Sequence, residues 1–423
     1  MQIIENLRVK EKLYMEKLEN GLTVMIIPKK GIQKKYIIWG TNYGSNDSTF
    51  IVPGETEVTE VPKGVAHFLE HKMFEQENGK NSLDVLTSLG VNANAYTTNN
   101  HTAYLYECTD NFYKALDEFM DYVQHPYFTN ENVEKEKGII GQEIAMYDDY
   151  PDWKVYLNAL EAMYHNHPVK LDITGTAETI SHIDKDILYK CYNTFYNPSN
   201  MAMVICGDFE PKELIEEIKT RLIENKANGE IKRIFEEEPQ GIVKEKVEQK
   251  MEVSKPLYTI GIKDKPAEEK EKVKKHIAIE ILLNLLIGGS SELYKKLYNM
   301  GNSYDAPSIE YEFDKNYAYI LITGQSNNPE ELFNMFKDQV RNIIKNGVNE
   351  QDFERVKRTI YGEYVKEFND VTSIARMFLN DFFKGINSFD YLEEIDTLNV
   401  EYLNQVLKDV FNEKNMIISV VKN

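Results

Sequence analysis

The chain predicts an α+β fold, and three observations carry that reading. Short β-rich runs open the sequence, amphipathic helical patterns follow without strict strand and helix alternation, and the apolar run MAMVIC at residues 201–206 returns to strand composition before Gly207. In chain order, residues 22–28 (LTVMIIP) and 36–41 (YIIWGT) read as strands separated by the turn-like KKGIQKK. Helices are expected near 64–74 and 82–89, with strands at 94–96 and 103–107 between them and the longer helical patterns at 112–123 and 130–146. The apolar stretch 277–287 is interrupted by Glu280 and Asn284 and is too short to span a bilayer, so it reads as a buried helix.

At 423 residues the chain is too long for one ordinary core and fits two domains of about 200 residues each. Hydrophobic residues at 42% and only 13 prolines describe packed globular domains and exclude a disordered chain. The segment 226–250 is charged and weakly periodic, which marks a linker between a domain at 1–225 and another at 251–423. Two matches suggest that the second domain repeats the first. Val133-Glu134-Lys135-x-Lys137-x-x-Ile140-x-x-Glu143 corresponds to Phe353-Glu354-Arg355-x-Lys357-x-x-Ile360-x-x-Glu363, and Phe195-Tyr196-Asn197-x-x-Asn200-Met201 corresponds to Val410-Phe411-Asn412-x-x-Asn415-Met416.

A net charge of -20 without a basic run argues against nucleic acid as a partner, because phosphate affinity comes from clustered Lys and Arg. Cys108, Cys191 and Cys206 are too few and too scattered for a disulfide framework and suit a reducing compartment. The opening MQIIENLRVKEKLYMEKLENG lacks the apolar core of a secretory signal. A cytoplasmic protein that does not contact a membrane is expected.

The chemistry concentrates in His67-Phe-Leu-Glu70-His71. On a helix these three polar residues sit at i, i+3 and i+4, so they share a face, while Phe68 and Leu69 point elsewhere and can anchor the helix in a core. Two imidazoles can then hold one metal ion, and the carboxylate beside them can take a proton from a water that the metal has acidified. The pattern is the reverse of the commoner zincin motif and has equivalent spacing. Catalytic zinc usually has three protein ligands, so one more is required. A long helix would present Glu136 and Glu143 two turns apart on one side, one to bind metal and the other to support it. The spacing of His165 and His167 suits neither a helix face nor a third ligand, and Asp148, Asp149 and Asp152 lack a dedicated calcium pattern, so both groups read as loop or turn.

Along essentially its whole length the chain resembles the pitrilysin and insulinase family, and within it the bacterial processing-peptidase-like group. The resemblance rests on Gly64-Val-Ala-His67-Phe-Leu-Glu70-His71-Lys-Met-Phe74, Asn92-Ala-Asn94-Ala95-Tyr-Thr97, Glu136 to Glu143, and Tyr196-Asn-Pro198-Ser-Asn200-Met201, in that order. It implies two homologous domains, each an antiparallel sheet covered by helices, facing one another across a cavity. It further implies one zinc ion held by His67, His71 and Glu143, Glu70 as general base, Glu136 as a supporting partner, and a peptide substrate added as a strand beside Asn94, Ala95, Tyr96 and Thr97.

One departure matters. Active relatives carry an Arg and, seven residues later, a Tyr in the C-terminal domain, whereas Tyr298 stands here in place of the Arg and Tyr304 is one residue out of step. The resemblance therefore implies a zinc endopeptidase acting as the metal-bearing subunit of a heterodimer, whose homologous zinc-less partner supplies the Arg and Tyr. The alternatives are a non-proteolytic scaffold and a peptide-presenting subunit of a modification pathway. The His and Glu ligands would also accept manganese or cobalt.

Overall fold

The computed structural model describes residues 1–223, 229–303 and 305–423. They form two compact units, the first made of 1–144, 172–235 and 366–388, the second of 145–171, 236–365 and 389–423.

In the first unit the strand-forming runs build a seven-stranded sheet in the order Gln2–Asn6, Glu11–Lys17, Thr23–Pro28, Met201–Gly207, Lys35–Thr41, Thr102–Cys108, Asn92–Thr97. Neighbours pair antiparallel except Thr23–Pro28 and Met201–Gly207, which run parallel. Met201–Gly207 is buried at every position, as a central strand covered on both faces requires. The opening segment, whose charged and apolar residues alternate, forms the two outermost strands on that side. On one face Val24, Ile26, Ile37, Trp39, Tyr104 and Tyr106 join a core with residues of the helices Val65–Lys72, Phe112–Gln124 and Lys185–Phe195.

The second unit has a five-stranded sheet ordered Lys246–Lys250, Met416–Lys422, Leu257–Asp264, Ala318–Gln325, Ser308–Phe313. Its first pair is parallel and the rest antiparallel. This order, including the place of the parallel pair, matches the last five strands of the larger sheet. The repeated sequence segments fall on equivalent elements: one on the long helices Asn130–Asp148 and Glu350–Glu367, the other on helix-to-strand junctions into Met201–Gly207 and Met416–Lys422. The segment expected as a buried helix, 277–287, forms the end of Lys272–Leu286 with Ile287 as the residue that caps it, and no helix among the described residues is long and apolar enough to cross a membrane.

The expected boundary needs correction. One change of unit, at Phe235/Glu236, does fall inside 226–250, but Lys232–Arg233 pairs with Thr49–Ile51 in the first unit and Lys246–Lys250 with Met416–Lys422 in the second. Residues 224–228, where the first domain was expected to end, lie outside the described residues. Alternating charges in this segment belong to short strands with one solvated face, a pattern that composition alone cannot separate from a linker.

Each unit also takes a helix from the other half of the sequence. Val371–Lys384 packs on Lys35–Thr41 and Met201–Gly207 in the first unit, and Pro151–Met163 on Leu257–Asp264 and Met416–Lys422 in the second. A strand glycine admits each helix. A Cβ on Gly40 would lie 2.9 Å from both Leu379 and Phe383, and one on Gly261 would lie 2.8 Å from Met163 Sδ. Gly40→Val is therefore expected to destabilise the first unit by about 1–3 kcal/mol through overpacking, read as a lower melting temperature of the full chain. An unchanged melting temperature would show that this helix does not depend on the gap.

Candidate metal centre

The helix Val65–Lys72 buries every residue except the half-exposed His71. Phe68 and Leu69 have no exposure and lock it into the core, which fixes the direction of the face carrying His67, Glu70 and His71. The long helix Asn130–Asp148 lies beside it, with Val133 and Ile140 buried and Glu136 and Glu143 turned towards the histidines.

Donor atoms of His67, His71 and Glu143 all lie within 4.8 Å of one another. His67 Nε2 is 3.7 Å from Glu143 Oε1, and His71 Nε2 is 3.6 Å from Glu143 Oε2. These separations are too long for hydrogen bonds, yet close to the edge of about 3.4 Å expected between two donors bound tetrahedrally to one zinc ion. His71 Nδ1 lies 3.2 Å from Glu136 Oε1, so a proton on Nδ1 leaves the Nε2 lone pair facing Glu143, as a metal ligand requires. The donor set and its geometry fit zinc. His67, His71 and Glu143 are brought together as expected, with Glu136 behind His71.

The electrostatics follow from burial and pairing. Burial, reinforced by the neighbouring His71, depresses the His67 imidazole to about 3 against a weaker pull from Glu136, leaving it neutral. Burial also works against a charged His71, but the Glu136 hydrogen bond and the Glu70, Glu143 and Glu136 charges prevail, and its pKa is raised. Glu136 moves the opposite way: burial is outweighed by His71 and Lys72, and it stays ionised to lower pH than an ordinary carboxyl. Glu143 is raised by burial, against His71 and with Asp172 and Glu136 adding to the rise.

Glu70 is held from the side of the strand Asn92–Thr97. Thr97 Oγ1 donates to Glu70 Oε2 at 2.6 Å. Burial raises the Glu70 pKa, against the Thr97 hydrogen bond and the His71 charge, giving a more basic carboxylate than one in water. Asn92–Thr97, which contains the four residues expected to meet substrate, is the last strand in its sheet order, and its outer edge has no strand partner among the described residues. The four residues diverge. Thr97 reaches Glu70, Ala95 packs against the core, and Tyr96 lies under the Arg376 guanidinium at 5.0 Å, on the opposite side of the pleat from Thr97. Asn94 lines a cavity of about 440 Å³ with Glu70, His71, Phe74 and Leu83.

Two features escaped the sequence reading. One is the Thr97 hydrogen bond to Glu70. The other is Lys72, which has no exposure and pairs with both Glu75 and Glu136. A lysine on a buried motif helix, with Glu75 at i+3, was the available signal. The minor candidates remain structural. Glu238 accepts hydrogen bonds from the backbone N–H groups of His165, Asn166 and His167, a loop anchor, while Asp148 ends the long helix and Asp152 opens the next. Tyr298 is exposed on Glu292–Asn299, and Tyr304 lies outside the described residues.

The family description "Insulinase (Peptidase family M16)" matches residues 50–177, and "Peptidase M16 inactive domain" matches 182–360. The uncharacterized zinc protease YmfH of Bacillus subtilis is 38% identical over 416 residues, covering 96% of this chain and 95% of that protein. The uncharacterized zinc protease YmxG of the same organism is 24% identical over 375 residues, covering 86% and 90%. Among solved structures, an M16-like peptidase from Alicyclobacillus acidocaldarius superposes with a TM-score of 0.93 at 32% identity, covering 99% of this chain and 100% of that one. A protease from Helicobacter pylori, at 19% identity and a TM-score of 0.82 over 98% and 100% of the two chains, shares the fold. With both family descriptions matched in tandem and the two histidines and glutamate converged, the chain belongs to the insulinase family, peptidase family M16.

Proposed function

We propose that the chain is a zinc-dependent endopeptidase that hydrolyses bonds in short or unfolded peptides and works as the metal-bearing subunit of a heterodimer. The observation that carries the reading is the convergence of His67, His71 and Glu143 with the basic carboxylate of Glu70 on the same helix face. One zinc ion held there would polarise the scissile carbonyl and acidify a water. Glu70 would accept a proton from the water that attacks the carbonyl. Thr97 occupies one of its oxygens and leaves the other to receive the proton and pass it to the departing amine. An extended peptide adds to the unpaired edge of Asn92–Thr97, so the strand that aligns the substrate also steadies the base through Thr97.

The partner follows from what stands at Tyr298. An exposed phenol at the position of the expected Arg cannot supply a guanidinium, so we assign that group and its Tyr to a homologous zinc-less subunit. The cytoplasm suits the three free, buried thiols.

The test is cleavage of a quenched fluorescent peptide mixture by the zinc-loaded full chain and its Glu70→Gln variant, each alone and with the zinc-less homologue. Cleavage is expected from the wild-type mixture, and Glu70→Gln should reduce it about 10²–10⁴-fold while zinc remains bound. Full-rate cleavage by the wild type alone overturns the heterodimer. Silence of the zinc-loaded mixture overturns the peptidase and favours scaffolding or peptide presentation.

Zinc retention should also depend on pH. Binding needs His71 without its Nε2 proton, and the pKa of free His71 is raised above the ordinary imidazole value. Affinity is therefore full above that raised value and falls by about tenfold for each pH unit below it. Zinc titration against a chromophoric chelator across this range is expected to show the fall starting above the ordinary imidazole value. A start below it would remove Glu136 as the group that holds the proton on His71.

A further inference from the structure

We propose that Lys72 is a positioning residue of the metal centre, acting on His71 through Glu136. The inference rests on His67, His71 and Glu143 being the metal ligands. Lys72 follows His71 directly, so its side chain leaves the helix about 100° further round and enters the protein instead of the metal face. It has no exposure, and burial of an ammonium is costly unless carboxylates surround it. Two do: Glu75, one turn further along, and Glu136 on the long helix, whose Oε2 lies 3.4 Å from Lys72 Nζ.

Glu136 divides its oxygens, Oε1 towards His71 Nδ1 at 3.2 Å and Oε2 towards Lys72. A carboxylate held at one oxygen can swing about its side-chain torsions, whereas one held at both presents a fixed acceptor. The line Glu75, Lys72, Glu136, His71 therefore transmits a fixed orientation to the imidazole and keeps its Nε2 aimed at Glu143. A lysine serving only to tie down Glu75, which is partly exposed, would have no need to lie fully buried against a group that touches a ligand.

The experiment measures zinc affinity by chelator competition, with the visible spectrum of the cobalt-substituted full chain, for wild type, Lys72→Met, Glu136→Gln and the double variant. Melting of each metal-free chain is followed in parallel. Lys72→Met keeps the length and apolar stem of the side chain, and it is expected to weaken zinc binding about 10- to 100-fold and to change the cobalt spectrum. The metal-free melting temperature is expected to fall, because the enclosed carboxylate of Glu136 loses one of its two partners, so zinc affinity is compared among variants that remain folded. In the Glu136→Gln background the same change should add little, because both act along one path.

A folded Lys72→Met chain that binds zinc within about threefold of wild type, against the losses usual for groups supporting a ligand, overturns the proposal; so do fully additive losses. Should Lys72→Met fail to fold, Glu75→Gln touches the lysine and no ligand, and it is expected to weaken zinc binding about threefold or more; no change overturns the proposal. A wild-type chain that binds no zinc overturns both this inference and the zinc reading beneath it. Normal wild-type binding with an unaffected Lys72 variant removes this inference alone.

Discussion

Ionisable side chains on a helix with almost no exposed surface must each be matched by a partner, and the centre of the first unit is organised around that requirement. His67, Glu70, His71 and Lys72 all lie on Val65–Lys72. Left unpaired, any of them would cost more than a typical core contact returns. Thr97 answers Glu70, Glu136 answers both His71 and Lys72, and Glu75 answers Lys72. Among the described residues His67 Nδ1 has no partner, and the depressed pKa of this imidazole follows from that burial. The long helix Asn130–Asp148 must therefore approach closely enough for Glu136 to reach two residues of the motif helix. The same approach brings Glu143 opposite both imidazoles.

The surrounding scaffold is duplicated and interlaced. Two sheets share five strands in the same order, each with one parallel pair, and each is covered by a helix from the other half of the sequence. Gly40 and Gly261 occupy equivalent strands and make equivalent room. Neither half of the sequence thus contains all of its own sheet's cover. Stability of the first unit accordingly includes burial contributed by Ile374, Phe378 and Leu379, residues far from the motif in sequence.

The elements and the shared helix face of His67, Glu70 and His71 were legible for the same reason, because both depend on local periodicity. The run at residues 22–28 and the helical spacing of His67, Glu70 and His71 each constrain a few neighbours, and they fold as that spacing demands. What the sequence hid is non-local or compositionally ambiguous. Helix Val371–Lys384 is amphipathic wherever it packs, so nothing in its pattern names the sheet it covers. The strand Lys246–Lys250, KVEQK, has the charge of a linker and is recognised as a strand only through its pairing with Met416–Lys422. The burial of Lys72 was not legible, because it depends on Glu136, a carboxylate supplied by another helix.

The two repeats differ most where the chemistry does. At the offset of 220 residues set by the matching long helices, Glu143 corresponds to Glu363, but Glu136 corresponds to Val356. Val356 is 2% exposed and Glu136 9%, so the two occupy similarly enclosed positions with opposite chemistry. A valine there asks nothing of its neighbours. A glutamate there obliges the facing helix to supply a histidine proton and a lysine, and it is tolerable only because they are present. The second repeat carries no such demand at Val356. The first could not lose its carboxylate alone, since His71 and Lys72 would remain buried without their shared partner. Glu136, His71 and Lys72 thus form one physical unit, in which a single carboxylate answers the burial of both its neighbours.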